Sequence, residues 1–362
     1  MRCIPSLIPC HGGHPGPVPP HPSFFSLSHA DQARLRASCR YLGGAVAPLF
    51  FARFVLRVDR VCSGDEDSLV LLRRIARGEN GWARWARTLR VVPGAEDELV
   101  HATATMQQVL AAALASMANI RTVVWTAQEN GPLASWLSTM VWDALHKLPL
   151  LEDLDMKLLG KVPLSLPDLA SLRRLKIVTW PYYTARARSA DNVGIAPELL
   201  SLQNWQPPMP LALQVASVGR QLTSLQLFGL LDRELSAVWT ALRNERVHLK
   251  EITAAFQLVS SDFVAYIGSY SGVEKLHLFK PGSGGAMHAE LDTLARRFYN
   301  DALDKHAATL TEFCCTVEFA CAWCFGSLSA RTVAGLRKLR RLEMGIAAER
   351  AKDDVVRCSP PS

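Results

Sequence analysis

The chain has 362 residues, 49% apolar and 20% charged, the balance of a folded chain rather than a disordered one. Its net charge of +7 is interleaved with acids, without the basic stripe and interspersed aromatics that nucleic-acid binding needs, so composition does not favour a nucleic-acid partner. There is no apolar run of about 18 residues to suggest a membrane span. The nine irregularly spaced cysteines fit reduced thiols in the cytoplasm or nucleus better than a disulfide framework.

Residues 1–23 carry Pro5, Pro9, Pro15, Pro17, Pro19, Pro20 and Pro22, which predict an extended, disordered lead. His11, His14 and His21 with Cys3 and Cys10 lack the spacing of a structural zinc site, and no cofactor or metal is expected. Order begins at Ser28, where Ser28 and Asp31 read as a capping box for a helix carrying Leu35, Cys39 and Leu42, stopped by Gly43-Gly44. An apolar run follows from Val46 to Val58. A short amphipathic helix is predicted between Asp65 and Gly78, with acids in its first turn and arginines in its last. Trp82, Trp85 and Leu89 lead to a strand over 89–92, and Arg84, Arg87 and Arg90 read as the solvated face of a helix. Helices over about 101–118 and 133–147 flank a strand over 120–125.

From Leu148 to Ile346 the pattern L-x-x-L-x-L returns at uneven intervals. It is carried by Leu151-Leu154-Met156, Leu172-Leu175-Ile177, Leu222-Leu225-Leu227, Val273-Leu276-Leu278 and Leu339-Leu342-Met344, with weaker copies at Leu249-Ile252 and Leu310-Phe313-Cys315. The last two apolar positions stand two apart, as in a strand with one buried face. Intervals of 21, 27 and 24 residues, from 151 to 172, 222 to 249 and 249 to 273, leave room for one strand and one returning helix. Such a unit cannot bury its apolar face alone, so the copies must stack on a shared core. The expected fold is α/β: an irregular leucine-rich-repeat solenoid over residues 61–346, with parallel strands on a concave face and helices on a convex face. The later helices fit this alternation: Glu234 to Glu245, one capped by Ser261, and Met287 to Ala308. A faint copy at Leu199-Leu202 lies in a proline-rich stretch, and residues 347–362 read as a disordered tail.

The residue between the last two apolar positions of each copy points out of the core. That position is occupied by Asp155, Lys176, Gln226, His277, Cys314 and Glu343, a polar surface of mixed sign and the candidate partner-binding face. If neighbouring strands are parallel, Glu152, Asp153 and Asp155 face Arg173, Arg174 and Lys176 about 4.8 Å away and neutralise them. Cys321-x-x-Cys324 lies near Cys314 and Cys315, but neighbours on a strand point to opposite faces, so the four thiols do not read as one metal site. His306 reads as a cation at the negative end of a helix. No G-x-S-x-G, H-E-x-x-H, G-x-G-x-x-G or phosphate-loop motif occurs, and no catalytic residue is assigned; the chain is not read as an enzyme.

The stretch SLSHADQARLRASCRYLGGAVAPLFFARFVL resembles the second half of an F-box, with Cys39-Arg40 and Pro48-Leu49-Phe50 at the matching positions. With GWARWARTLRVV, LPLLEDLDMKL, LTSLQLFG, SYSGVEKLHLF and LRKLRRLEM in that order, residues 24–346 are similar to the divergent F-box and leucine-rich-repeat proteins of mushroom-forming fungi. The resemblance implies a helical F-box-like segment at 24–60 that meets a Skp-family adaptor through Leu35, Cys39, Leu42, Pro48 and Leu49. The solenoid would then hold a protein substrate for a cullin-RING ubiquitin ligase. A full F-box opens with Leu-Pro and a further amphipathic helix, and here the prolines of 15–22 stand in that place. Two expectations therefore stand: an adaptor whose coding start lies further upstream, or a stand-alone scaffold in which the F-box remnant caps the solenoid.

Overall fold

The structure, a computed structural model, describes residues 28–38, 40–92, 103–129, 135–160, 171–180, 221–228, 232–255, 259–279, 288–317 and 321–346. The proline-rich lead, the faint repeat at 199–202, the tail and Cys39 all lie outside them. Within them the chain alternates as α1 (His29–Ser38), α2 (Arg40–Phe50), β1 (Arg53–Arg57), α3 (Val58–Cys62), α4 (Glu66–Ala76), α5 (Gly81–Trp85), β2 (Thr88–Val92), α6 (Ala104–Ser116), β3 (Thr122–Glu129), α7 (Ser135–His146) and β4 (Asp153–Gly160). It continues with β5 (Arg174–Trp180), β6 (Ser224–Phe228), α8 (Asp232–Asn244), β7 (Glu251–Ala255), α9 (Ser261–Ile267), β8 (Lys275–Phe279), α10 (His288–Arg297), β9 (Glu312–Thr316), α11 (Ser327–Gly335) and β10 (Arg341–Met344). After α10 the chain passes through a π-helical turn, Phe298–Ala302, and a 3-10 turn, Leu303–His306.

All ten strands form one sheet in the order of the chain, each parallel to the next. One device sets every register. The two residues at the start of a strand both donate their N–H to a single carbonyl of the preceding step: Arg87 and Thr88 to Ala52, Arg121 and Thr122 to Arg87, and so on to Arg340 and Arg341 on Thr311. Leu154, Leu175, Leu225, Ile252, Leu276 and Phe313 are thereby brought level, and so are Met156, Ile177, Leu227, Ala254, Leu278 and Cys315. These rows are buried against helix residues such as Leu110, Trp142, Trp239, Phe263 and Phe298 in one continuous core. Stacked strand-helix units bury together what no single unit can. β5 pairs directly with β6, so the sheet runs without interruption past residues 181–220.

Aromatic side chains pack on one another within this core. Trp239 meets Phe263 edge-on at 5.0 Å and stacks on Tyr266 at 5.6 Å between ring centres. The Tyr266 hydroxyl donates to Val247 O and accepts from Leu249 N, while Tyr270 donates to Leu249 O. Burial without an ionic partner pushes the Tyr266 phenol up to about 12, so these hydroxyls serve as neutral links between helix and strand.

Several local expectations are corrected. Gly43-Gly44 does not stop a helix but lies inside α2. A Cβ on Gly43 would stand 3.0 Å from the Arg36 carbonyl oxygen, so this glycine permits the close approach of α1 and α2. Arg84, Arg87 and Arg90 do not share a helical face: Arg84 is in the last turn of α5 and lies over the Trp85 ring, while Arg90 is on β2. The cap of α9 is Ser260, whose hydroxyl accepts from Phe263 N, rather than Ser261. β1 falls within residues 24–60 yet is already a strand of the sheet, which therefore starts before residue 61.

His306 is corrected as well. It is fully buried; Nδ1 accepts from the N–H groups of Gly272 and Val273, and Nε2 lies 3.1 Å from Ile267 O. An acceptor at Nδ1 and a donor at Nε2 define the neutral imidazole. Burial, with neighbouring Lys305 acting in the same direction, holds its pKa below the ordinary value. It is a neutral staple between two units, not a cation.

Candidate functional site: the uncovered face of the sheet

Alternate residues of each strand face away from the core, and the common register arranges them in three rows. The first runs Asp153, Arg174, Ser224, Glu251, Lys275, Glu312 and Arg341 across β4 to β10, with charge alternating in sign on either side of Ser224. Arg174 grips Asp153 through Nε–Oδ1 at 2.5 Å and Nη2–Oδ2 at 2.6 Å. Lys275 bridges Glu251 at 3.2 Å and Glu312 at 3.7 Å. These bonds raise the pKa of both cations. From Asp153 to Glu312 the charges of this row are paired with one another, while Arg341 turns to Glu343 in the second row. The expected ladder between β4 and β5 is present in the pairs Arg174–Asp153 and Lys176–Asp155, while Glu152 pairs instead with Arg121 at 3.6 Å.

The second row contains all the residues assigned to the partner-binding face. Asp155, Lys176, Gln226, His277, Cys314 and Glu343 are level with one another, joined by Thr253 between Gln226 and His277. Sequence reasoning missed Thr253 because the repeat at Leu249-Ile252 is incomplete. It also missed Val55, Arg90 and Val124, which continue the row across β1 to β3, where the same apolar spacing is carried mostly by residues other than leucine, as in Phe51-Phe54-Leu56 and Ile120-Val123-Trp125. Lys176 Nζ is 3.1 Å from Asp155 Oδ2, and Cys314 Sγ donates to Glu343 Oε2 at 3.7 Å. Oδ1 of Asp155 and Nε2 of His277 are buried without a hydrogen-bond partner; the Glu312 carboxylate lies 3.4 Å from that Nε2 but is not aligned with it.

The third row is apolar at its centre. Val178 on β5 is level with Phe228 on β6, and Phe279 on β8 stands edge-on to His277 at 5.9 Å. All three are half-buried. Across β5 to β8 the face thus presents hydrogen-bonding side chains beside an apolar strip. That combination suits a polypeptide, with its alternation of polar backbone and apolar side chains, better than a phosphate backbone.

The cysteines divide as strand geometry requires. Cys314 lies in the second row, whereas Cys315 enters the core beside Tyr299, Cys321 and Cys324. Burial raises the pKa of Cys314, Cys315 and Cys321, keeping these thiols protonated and poor nucleophiles. Among the described residues no group of three or more His, Cys, Asp or Glu has the geometry of a metal site.

At the other end, Leu35 lies on α1 and Leu42, Pro48 and Leu49 on α2, all half-buried. Val46 and Phe51 of the same segment are buried, and Trp82 packs on Phe50, Phe51 and Phe54 while its indole donates to Arg53 O. This aromatic group covers the β1 end of the core. No described side chain of α1 is itself buried.

No helix among the described residues is long and apolar enough to cross a membrane. No protein-family model matches the chain, and a search of curated proteins finds no significant relative. The class rests on the fold: a solenoid-like α/β chain with a ten-stranded, all-parallel sheet, one face of which carries the core while the other presents ordered rows of polar and apolar side chains.

Proposed function

We propose that this chain is a protein–protein interaction module that grips a partner polypeptide on the uncovered face of a leucine-rich-repeat solenoid. The observation that carries the reading is the register: Lys176, Gln226, Thr253 and His277 are held level beside Val178, Phe228 and Phe279, on strands whose other face is locked in the core. Rigid strands place such contacts with little further loss of backbone entropy on binding. The N-terminal helices serve as the end cap of the solenoid, a role supported by the packing of Phe50, Phe51 and Trp82 over β1. Affinity capture with the folded wild type, compared with Gln226→Arg and Phe279→Asp variants, tests the face. A partner retained by both variants is not held there.

The second reading makes the module a substrate-recognition adaptor of a cullin-RING ubiquitin ligase, with α1 and α2 meeting a Skp-family protein. It is favoured by α1, whose described side chains all remain partly or wholly exposed. A pull-down against a purified Skp-family adaptor, with a Leu35→Asp, Leu49→Asp double variant checked by circular dichroism, decides it. Binding lost by a folded double variant supports adaptor function. No binding by the wild type leaves the scaffold.

A further inference from the structure

The two ends of the sheet are not equivalent. At β1 the core-facing residues Phe54 and Leu56 are only 5% and 2% exposed, and Trp82 of α5 packs on Phe54. At β10 the corresponding Leu342, level with fully buried Phe313, is 43% exposed. Phe325 and Ile346, joined by a parallel bridge, are 40% and 74% exposed beside it. Among the described residues no strand pairs with the outer edge of β10, and an apolar end with such an edge is a template for pairing with another chain.

The sequence of β10 says which chain. Arg341 donates its N–H to the carbonyl of Thr311, the residue before β9, and backbone groups alternate in direction along a strand, so the N–H and C=O of Leu342 point away from β9. Two copies of β10 set antiparallel about a twofold axis at Leu342 would exchange both Leu342 hydrogen bonds. That register places Leu342 beside its own copy on the core side. On the opposite side it sets Arg341 against Glu343 of the second copy, twice. A twofold axis at Glu343 would bring like charges together and use backbone groups already turned to β9. The Arg341–Glu343 bond within one chain, 3.0 Å between exposed groups, is weak enough to be exchanged for the same contact across the axis.

We propose that the β10 edge is a self-association surface whose partner is a second copy of this chain, paired antiparallel about Leu342 into one continuous sheet. The interface is isologous and closes on itself, using up the β10 edge of both copies.

Sedimentation equilibrium of the full chain across roughly 1 to 100 µM tests it. The expected result is a monomer–dimer equilibrium for the wild type. Arg341→Glu weakens it by about tenfold or more, since two attractive contacts become repulsive. The double exchange Arg341→Glu, Glu343→Arg restores it to within about threefold, because each new pair is again opposite in sign. Leu342→Asp abolishes it. Positions 341 and 343 are exposed, so the charge variants keep the test intact even if Leu342→Asp does not fold. A folded wild type that stays monomeric throughout the range, or an Arg341→Glu variant that dimerises as tightly as the wild type, overturns the proposal.

Discussion

Asp153 on β4 and Arg174 on β5 stand level in the sheet and share two parallel hydrogen bonds, the best-formed ion pair on the uncovered face. The Arg174 side chain nevertheless remains 63% exposed, so water competes for it and salt screens it. A double-mutant cycle with Asp153→Ala and Arg174→Ala is expected to give a coupling of only about 0.2 to 1 kcal/mol, falling as salt is raised. A coupling several times larger and insensitive to salt would mean that the pair is shielded.

His306 carries more of the stability. Replacing it with alanine removes the acceptor of two N–H groups, Gly272 and Val273, and leaves a cavity between units. Unfolding by urea should show a loss of roughly 3 to 5 kcal/mol.

The same residue makes stability depend on pH. Its imidazole is held neutral below the ordinary pKa of 6.5, so the unfolded chain takes up the proton first on acidification. Its contribution is complete above about pH 6.5 and is lost as pH falls below that value. Urea midpoints compared at about pH 7.5 and about pH 5 should fall further in the wild type than in His306→Gln. Equal changes would show that His306 is not the group responsible.

Two glycines near the capped end should respond in opposite ways. A Cβ on Gly81 would lie 2.0 Å from the Phe51 ring, so Gly81→Ala forces the Phe51–Trp82 contact apart and should cost about 1 to 3 kcal/mol. Gly44, inside α2, has nothing within 4 Å of the same position, and Gly44→Ala should stabilise by about 0.5 to 1 kcal/mol through helix propensity. Thermal unfolding of both variants reads the difference directly.

Trp239 is completely buried against Phe263 and Tyr266. Trp239→Ala is expected to lose about 3 to 5 kcal/mol, and Trp239→Phe much less, in equilibrium denaturation. Near-equal losses would place the effect in the indole N–H rather than in the filled volume.

The sequence by itself determined the units. Two-residue spacing in Leu154-x-Met156 or Leu276-x-Leu278 can bury only one face of a strand. The shared pattern then fixes which residue between them, Asp155 or His277, faces away from the core. These are local properties, set by the alternation of side chains along one strand. What only the tertiary structure decided involves partners distant in the chain. Ala52, Arg87 and Arg121 each lend one carbonyl to the next step, bringing β1, β2 and β3 into the same sheet as the leucine-rich copies. The missing Cβ of Gly43 lets the Arg36 carbonyl of another helix come close, and His306 is neutral because it is buried with the Gly272 and Val273 N–H groups turned toward it. Leu342 has the same apolar identity and spacing as Leu276. One is buried and the other exposed because a strand flanks β8 on either side, whereas β10 has one on only one.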